Sequence, residues 1–330
     1  MCSSFVGGRS HELEVLKGDT LYLPHATSLR MGRLGYQSDA QAALCVSYNN
    51  LDNYAASLDA ALTRPFPPYE KIGIRKNGEY LQLNTSLLQI ENEFYSTVRP
   101  KRRIRPGERP LHALRERGVE YVEVRLMDLD PFEAVGISAQ TMRLLDVLLL
   151  HCALADSPPD TPHEIAAIGR NQHLVAARGR EKGLLLEKGK KTISLKDWGR
   201  QILAGCEPIA AALDQAHGGA AYAEACAHGH KLLEDPELTP SARVLHALAR
   251  NHDDQYVRFG LAQSLLHAGH LRGLPLAPAV QKRFERLAEK SLAEQAQIEA
   301  ADKLDFETYR QKYLAHDTLI IGQPRFREDR

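Results

Sequence analysis

Two charged residues stand in a segment that otherwise has the pattern of a β-strand, Gly118-Val-Glu-Tyr-Val-Glu-Val-Arg125. Because a strand alternates its faces, Glu123 and Arg125 project to the same side, one pleat apart, and Val122 and Val124 to the other. A carboxylate beside a guanidinium suits a site that handles a metal ion and an anion together. A surface ion pair on a solvated sheet face explains the same pattern, and both interpretations stay open at this point.

A second predicted strand, over residues 86–98, carries acidic side chains on one face. Its alternation puts Glu91, Glu93 and Tyr95 on one side and apolar side chains on the other. Together with the strand through Glu123, it predicts a sheet with one apolar face and one face rich in carboxylates. Solvated sheet faces rarely favour glutamate, so the repetition on two strands favours a functional face.

A basic run follows the second strand, with Arg99, Lys101, Arg102, Arg103 and Arg105 close together. Nucleic-acid binding is a weak interpretation, because interleaved aromatic residues are absent and acidic residues follow soon after. A solvated loop and a site that handles phosphate both remain open for this run.

The character of the sequence changes near residue 135. Before it, period-2 alternation is common, and Asn77-Gly78 predicts the turn of a hairpin over residues 72–83. Asn50 caps a predicted helix over residues 51–62 in this first part. After residue 135, helices with polar caps start at Ser138 and Thr161, and further helices are predicted at about 194–217, 220–233, 241–251, 255–270 and 277–301. The fold class is therefore predicted as α+β, with a mainly antiparallel sheet in residues 1–135 and an α-helical region in residues 136–330.

The composition is that of an ordinary globular protein of 330 residues. The 42 basic and 42 acidic side chains cancel, so no general attraction to nucleic acid or to an anionic membrane is expected. No apolar run reaches the length of a membrane span, and the first residues lack the pattern of a signal peptide. The five cysteines are widely spaced, and Cys152 and Cys206 are predicted to be buried. Reduced thiols indicate a cytoplasmic location.

Several long motifs in the same order carry a family resemblance. The segments Tyr22-Leu-Pro-His-Ala-Thr-Ser-Leu-Arg-Met-Gly-Arg-Leu-Gly-Tyr36, Leu88-Gln-Ile-Glu-Asn-Glu-Phe-Tyr-Ser-Thr-Val-Arg-Pro-Lys-Arg102 and Gly118 to Arg125 closely resemble the proteobacterial glutamate–cysteine ligases. The resemblance continues through Asp130-Pro-Phe and Leu238-Thr-Pro-Ser-Ala-Arg243, so it covers most of the chain. It implies a sheet of the glutamine-synthetase-like carboxylate–amine ligase type.

The resemblance also implies an activity. Members of the family use ATP and Mg²⁺ to join the γ-carboxylate of glutamate to cysteine through an acyl phosphate, the first step of glutathione synthesis. Both steps build negative charge on oxygen, which magnesium and arginine neutralise. The implied partners are therefore small molecules, glutamate and cysteine, with neither nucleic acid nor a membrane involved.

Site roles follow from the same resemblance. Glu123 would be a magnesium ligand, with Glu93 on the same predicted sheet face as a second, and Arg125 would contact the reacting acyl phosphate. Arg30 would contact glutamate, and Tyr36 and Tyr95 would line the cysteine pocket. The nucleotide side would be formed by three residues of the basic run: Arg99, Lys101 and Arg102.

One departure from the family concerns the start of the chain. Family members carry a long N-terminal segment before the position of Cys2, with further strands and most of the acidic magnesium ligands. The sequence therefore predicts a C-terminal portion of such an enzyme, truncated and poorly active alone, with a separate or missing N-terminal segment as partner. A non-catalytic remnant of the same fold family and a helical interaction protein are the alternatives.

Overall fold

The computed structural model describes residues 1–6, 12–42 and 44–319. Up to residue 135, three helices alternate with short strands. The helices are α1 (Leu51–Thr63), α2 (Pro67–Ile72) and α3 (Pro110–Arg117). The strands are β1 (Glu14–Lys17), β2 (Thr20–Tyr22), β3 (Arg75–Lys76), β4 (Glu79–Tyr80), β5 (Val98–Lys101) and β6 (Tyr121–Val124). They pair as three separate antiparallel ladders, β1–β2, β3–β4 and β5–β6.

After residue 135 the chain is mainly helical. The elements in order are α4 (Ala139–Leu154), α5 (Pro162–Arg178), β7 (Leu185–Lys188), β8 (Lys191–Ser194), α6 (Leu195–His217), α7 (Ala221–Glu234), α8 (Pro240–Asn251), α9 (Tyr256–Gly273), α10 (Pro278–Ala301) and α11 (Phe306–Leu314). The α+β class is thus confirmed. The β7–β8 hairpin, which turns through Gly189 at a positive φ of 60°, was not anticipated.

The helix caps that the sequence predicts are present in the structure. The side chain of Asn50 accepts the backbone N–H of Asn53 at the start of α1, and Ser138 accepts that of Thr141 at the start of α4. Thr161 and Glu164 form a full capping box on α5. Each cap satisfies a backbone N–H group that the first helical turn leaves without a partner. The hairpin at Asn77-Gly78 also formed, with both residues at positive φ, although each strand contains only two residues.

The long strand predicted over residues 86–98 is wrong. Within this range only Val98 belongs to a strand, the start of β5, Ser86 forms an isolated bridge to Pro65, and residues 91–93 form a 3₁₀ turn. Side chains bond to the nearby backbone instead of leaving it free for a ladder: Asn84 accepts the N–H of Ser86, and Glu93 accepts that of Gln89. Such local bonds compete with strand pairing. Glu91, Glu93 and Tyr95 therefore do not share one face of a strand.

The first hydrophobic core lies between α1, α3 and the segments around them. Leu58, Leu88 and Leu111 are fully enclosed in it. Leu319, far along the sequence, belongs to the same core. Arg109 at the start of α3 also reaches this end of the chain, donating 2.8 Å to the carbonyl oxygen of Tyr313. The core that begins near residue 46 is therefore completed by residues just beyond α11.

The second core lies among α4, α6 and α7. Val147, Cys206 and Cys226 are fully buried there, so the prediction for Cys206 is confirmed. The prediction for Cys152 is wrong, because it lies five residues after Val147, on the solvent side of α4, and is exposed. None of the helices in the described ranges is both long and apolar enough to cross a membrane.

Candidate functional site

The β5–β6 ladder places the charged residues of both strands on one face. Arg99 stands opposite Glu123 in the register, and alternation adds Lys101 and Arg125 to the same side. The N–H of Arg125 continues the ladder by donating 2.8 Å to the carbonyl oxygen of Thr97. The Glu123 carboxylate lies between two cations, with Lys101 Nζ 3.3 Å from Oε2 and Arg125 Nε 3.7 Å from Oε1.

A compact loop brings Arg30 beside Tyr36. The N–H of Tyr36 donates 2.6 Å to the carbonyl oxygen of Arg30, which closes the loop. Gly35 is required for this closure, because a Cβ there would collide with the carbonyl oxygens of Leu29 and Arg30. The N–H of Thr27 donates 2.9 Å to the carbonyl oxygen of Ala176, which anchors the start of the loop to the end of α5.

The loop and the ladder meet at the ring of Tyr36. The guanidinium carbons of Arg30 and Arg125 lie 4.5 and 4.8 Å from its centroid, within the range of cation–π contact. The ring of Tyr95 is 4.5 Å away, centroid to centroid, and Arg99 Nη2 donates 3.0 Å to the Tyr36 hydroxyl. We call this group the Tyr36 cluster; its members are Arg30, Tyr36, Tyr95, Arg99, Lys101, Glu123 and Arg125.

Asp128 fixes the loop to the end of the ladder, and nothing in the sequence pattern had singled it out. Its Oδ1 accepts the backbone N–H groups of Leu29 and Arg30, each at 3.0 Å, and its Oδ2 accepts the Ser28 hydroxyl. Arg30 Nε also donates to the carbonyl oxygen of Arg125. The sequence carries little signal for Asp128, because its partners, two backbone N–H groups and the Ser28 hydroxyl, lie about a hundred positions away.

The charge of the Tyr36 cluster favours an anion. Four cationic side chains surround one carboxylate, so the group has an excess of three positive charges. Arg99 is only 4% exposed, and its Nε has no hydrogen-bond partner. Because a buried guanidinium N–H without a partner is costly, an acceptor supplied by a ligand would stabilise it.

The carboxylate of Glu123 could also take a magnesium ion, which would share it with the flanking Lys101 and Arg125. Its Oε2 atom is shielded from solvent and accepts no hydrogen bond, although Lys101 Nζ lies 3.3 Å away. Mg²⁺ is commonly held by one or two carboxylates together with phosphate oxygens and water. Glu123 is the carboxylate of the cluster that could serve in this way, with the remaining ligands coming from phosphate.

The other predicted acidic and basic residues lie in different surroundings. Glu91 is buried against Arg109, with Oε2 2.8 Å from Nη2, so it is a structural ion pair. The Glu93 carboxylate already accepts the N–H of Gln89 at 2.7 Å, and its role as a metal ligand stays a prediction. Arg102 Nε lies 3.6 Å from Glu120 Oε2, so it does not join Arg99 and Lys101 at Glu123.

A further group of ligating residues is already neutralised. Glu108, His112 and Glu116 lie close enough to hold an ion together. Arg117 Nη1, however, lies 2.7 Å from Glu108 and also pairs with Glu116. Its hydrogen bond lowers the pKa of Glu108 to about 2. A guanidinium therefore fills the position that a cation would need.

A large cavity lies beside the cluster, on the other side of the Asp128 contact. Its volume is about 1050 Å³, and its walls are mainly apolar, including Leu21, Leu129 and Leu248. Ser28, Leu29 and Asp128 line it too, whereas Tyr36, Glu123 and Arg125 do not. The convergent charges and rings lie at the Tyr36 cluster, so we take the cluster as the candidate site.

Comparison with known families assigns the chain. Residues 1–175 match the family model of glutamate–cysteine ligase, which is more than half of the sequence. The chain belongs to the glutamate–cysteine ligase family. All members of the Tyr36 cluster lie within the matched residues. This confirms the resemblance on which the site prediction was based.

Relatives and a solved structure extend the match over most of the chain. The glutamate–cysteine ligase of Alcanivorax borkumensis is 45% identical over 96% of this chain, and that of Pseudomonas entomophila is 48% identical over 94%. The crystal structure of the glutamate–cysteine ligase of Francisella tularensis in complex with AMP is 35% identical and superposes with a TM-score of 0.85 over 92% of this chain. The chain spans about three-fifths of the length of these proteins: 61%, 58% and 59%.

Proposed function

We propose that this chain carries part of the active site of an ATP-dependent ligase that joins the γ-carboxylate of L-glutamate to the amine of L-cysteine. The observation that carries the proposal is the Tyr36 cluster, an anion-favouring group of side chains within residues that match the family model. The reaction begins with attack of the glutamate γ-carboxylate on the γ-phosphate of ATP. The cysteine amine then displaces phosphate from the resulting acyl phosphate.

The cluster supplies charges where this chemistry needs them. Arg125 would stabilise the oxygens of the reacting acyl phosphate, because a fixed guanidinium in a partly buried site requires little reorganisation. Arg30, held by Asp128 through its backbone, would bind a carboxylate of glutamate. Mg²⁺, when bound at Glu123, would neutralise phosphate oxygens.

The two tyrosines would form the wall of the cysteine pocket. Tyr95 is well exposed beside the Tyr36 ring, so one face of the pair is open to a small ligand. A pocket of this kind combines apolar ring surface with a hydroxyl that orients the bound amino acid. Arg99, Lys101 and Arg102 remain our candidates for the nucleotide side, and Glu93 for a second metal ligand. A cytoplasmic location fits the five free cysteines.

Ligand binding by the purified chain tests the proposed function. We expect L-glutamate with Mg²⁺ and a non-hydrolysable ATP analogue to bind in calorimetry. Arg30→Met and Arg125→Met should each weaken glutamate binding at least tenfold, about 1.4 kcal/mol. Arg286→Met on the exposed face of α10 is the matched control and should bind normally. Unchanged affinity in both cluster variants would contradict the proposal.

Turnover separates the ligase from a non-catalytic relative. The assay is ADP release that depends on glutamate, cysteine and Mg²⁺. We expect little release from the chain alone, because the Tyr36 cluster provides one carboxylate for metal binding. A fusion of this chain with the part of the Alcanivorax borkumensis relative that it does not match should release ADP at least a hundredfold faster. Ligand binding without turnover in that fusion would favour the non-catalytic alternative.

A further inference from the structure

The side chain of Gln41 holds the backbone of the segment that carries Tyr95. Its Nε2 donates 2.8 Å to the carbonyl oxygen of Glu93, and its Oε1 accepts the N–H of Tyr95 at 3.0 Å. A carbonyl and the N–H two residues later are the groups that a neighbouring strand would bond in an antiparallel ladder. Residues 93–95 belong to no strand of the described chain, so the amide of Gln41 takes the place of a strand partner.

The two bonds require an amide. One is donated and the other is accepted, and glutamine carries a donor and an acceptor on one planar group. A glutamate at this position would offer acceptors only, so its carboxylate would face the carbonyl oxygen of Glu93 without a proton between them. A methionine has nearly the same length but no N–H group. Gln41→Glu and Gln41→Met therefore remove the donated bond in two different ways.

Gln41 projects from a closed turn, so its side chain has a fixed base. Its own N–H donates 3.1 Å to the carbonyl oxygen of Ser38, which closes the 3₁₀ turn Asp39–Gln41. Its carbonyl oxygen accepts the N–H of Leu44 at 2.9 Å. Both backbone groups of Gln41 are thus bonded locally, and the side chain is left to reach the distant segment.

The segment that Gln41 holds packs on the Tyr36 ring. The rings of Tyr36 and Tyr95 are tilted by 46°, with centroids 4.5 Å apart. Arg99 Nη2 donates 3.0 Å to the Tyr36 hydroxyl and 3.2 Å to the carbonyl oxygen of Asn92, so it secures the other end of the same segment. The Tyr95 side chain is 41% exposed. Its backbone, rather than enclosure by other side chains, therefore has to fix where the ring lies.

We propose that Gln41 is a positioning residue that sets the Tyr36–Tyr95 ring pair for binding of the cysteine substrate. It acts through the backbone of Tyr95. The inference rests on the proposed function, because it takes the two rings as the wall of the cysteine pocket. Tyr36 is held independently, by the carbonyl oxygen of Arg30 and by Arg99. Loss of the Gln41 amide should therefore disturb the cysteine side of the Tyr36 cluster and spare the glutamate side.

Gln82 offers a matched control. Its Nε2 donates 2.7 Å to the carbonyl oxygen of Tyr69 and 2.9 Å to that of Gly73. Like Gln41, it is half-buried and makes two bonds to the backbone, but these lie at the end of α2 and none of its partners belongs to the Tyr36 cluster. Gln82→Met therefore measures the loss of two such bonds without a change at Tyr95.

Fluorine NMR reports where the Tyr95 ring lies. The chain is labelled with 3-fluorotyrosine, and Tyr95→Phe identifies the Tyr95 signal. Gln41→Met and Gln41→Glu should each move or broaden this signal, whereas Gln82→Met should leave it in place. Circular dichroism and urea midpoints check that the variants remain folded. A Tyr95 signal that is unchanged in both Gln41 variants overturns the positioning role. Loss of the fold in both also overturns it, because the contact is then only structural.

Calorimetry with L-cysteine tests the consequence for the substrate. With L-glutamate, Mg²⁺ and a non-hydrolysable ATP analogue present, Gln41→Met should weaken L-cysteine binding about tenfold, because a displaced ring no longer matches the ligand. The affinity for L-glutamate should not change, and Gln82→Met should bind both amino acids as the parent does. An equal loss for the two amino acids in Gln41→Met overturns the inference.

The failures of the two proposals are distinguishable. If the parent chain binds glutamate but no cysteine, the proposed cysteine pocket is wrong, and so is the substrate assigned to Gln41. If the parent binds both amino acids and Gln41→Met binds them equally well, the proposed function stands and the inference about Gln41 fails.

Discussion

The carboxylate of Asp128 accepts a 3.0 Å hydrogen bond from the backbone N–H of Arg30, although 98 positions separate the two residues. The same oxygen accepts the N–H of Leu29, and the other oxygen accepts the Ser28 hydroxyl. One side chain four residues beyond β6 therefore fixes the position of the loop at the Tyr36 cluster. Asp128 acts through Arg30 and is a positioning residue.

Removing this carboxylate should loosen the loop. Asp128→Ala is expected to lower the free energy of unfolding by about 1–3 kcal/mol, because it leaves three donors without their acceptor. Asp128→Asn keeps an acceptor and should recover most of this loss. Urea unfolding measures both, and Asp156→Ala, at an exposed position, is the control. If Asp128→Ala weakens glutamate binding while Asp128→Asn restores it, the positioning role is supported; unchanged binding in the Ala variant contradicts it.

Two carboxylates close together in sequence should differ in their effect on stability. Glu91 is paired with the buried Arg109, which is 2% exposed, so Glu91→Gln leaves a buried guanidinium without its counter-charge. We expect a loss of about 3–5 kcal/mol. Glu93 is half-buried and accepts one backbone N–H, so Glu93→Gln should cost about 1 kcal/mol. Chemical denaturation measures the free energy of unfolding of both variants. A loss in Glu91→Gln as small as that in Glu93→Gln would contradict the importance of the buried pair.

Replacing Glu123 and Glu93 one at a time also shows which of the two binds a metal ion. Mn²⁺, a paramagnetic substitute for Mg²⁺, can be followed by electron paramagnetic resonance with a non-hydrolysable ATP analogue present. Glu123→Gln is expected to weaken Mn²⁺ binding at least tenfold, about 1.4 kcal/mol, because the negative charge of the carboxylate is lost. The same loss in Glu93→Gln would identify Glu93 as a second ligand. An unaffected Glu123→Gln variant would remove Glu123 from the metal site.

Acid should weaken the contact at the end of α3. The guanidinium of Arg117 lowers the pKa of Glu108 from 4.5 to about 2, so the folded state holds this carboxylate ionised. Its contribution to stability is present above pH 4.5 and is lost as the pH falls toward 2. Glu108→Gln should therefore be less stable than the parent at pH 7, and the difference should shrink at pH 3. Urea midpoints at the two pH values test this, with the exposed Glu289→Gln as the control.

The thiols should fall into two reactivity classes. Cys45 and Cys152 are exposed, whereas Cys206 and Cys226 are buried, and burial raises the pKa of Cys206 to about 11. Because the thiolate is the nucleophile, iodoacetamide at pH 8 should modify the exposed pair at least a hundredfold faster. Peptide mass spectrometry after timed quenching gives the rates. Rapid labelling of Cys206 in the folded protein would contradict the packing of α4, α6 and α7.

The parts of the fold that the sequence predicted correctly depend on local interactions. The caps at Asn50, Ser138 and Thr161 involve residues three positions away, so short motifs are enough to place those helix starts. The Asn77-Gly78 turn is local in the same way. The helical part after residue 138 was accordingly predicted within a few residues at most boundaries.

The errors and omissions have nonlocal or competing causes. Period-2 alternation in residues 86–98 suggested a strand, but the Glu93 side chain bonds to the backbone of Gln89 and bends the segment. Asp128 was missed because its acceptor role depends on a loop almost a hundred residues earlier. Arg30, Tyr36 and Tyr95 were predicted only through the family resemblance, since no spacing in the sequence links the loop to the ladder.

The place of Leu319 in the first core has a consequence for synthesis. Arg109 can donate to the carbonyl oxygen of Tyr313 only after that residue, 204 positions later, has been synthesised. In the same way, Leu58 and Leu111 can complete their core only after Leu319 has been synthesised. At ordinary rates of translation this interval is roughly 10–40 s. During that time the nascent first core is open on the ribosome, while α4, α6 and α7 can already pack. The first core is thus completed later in synthesis than the second core, although most of its residues precede those of the second core in the sequence.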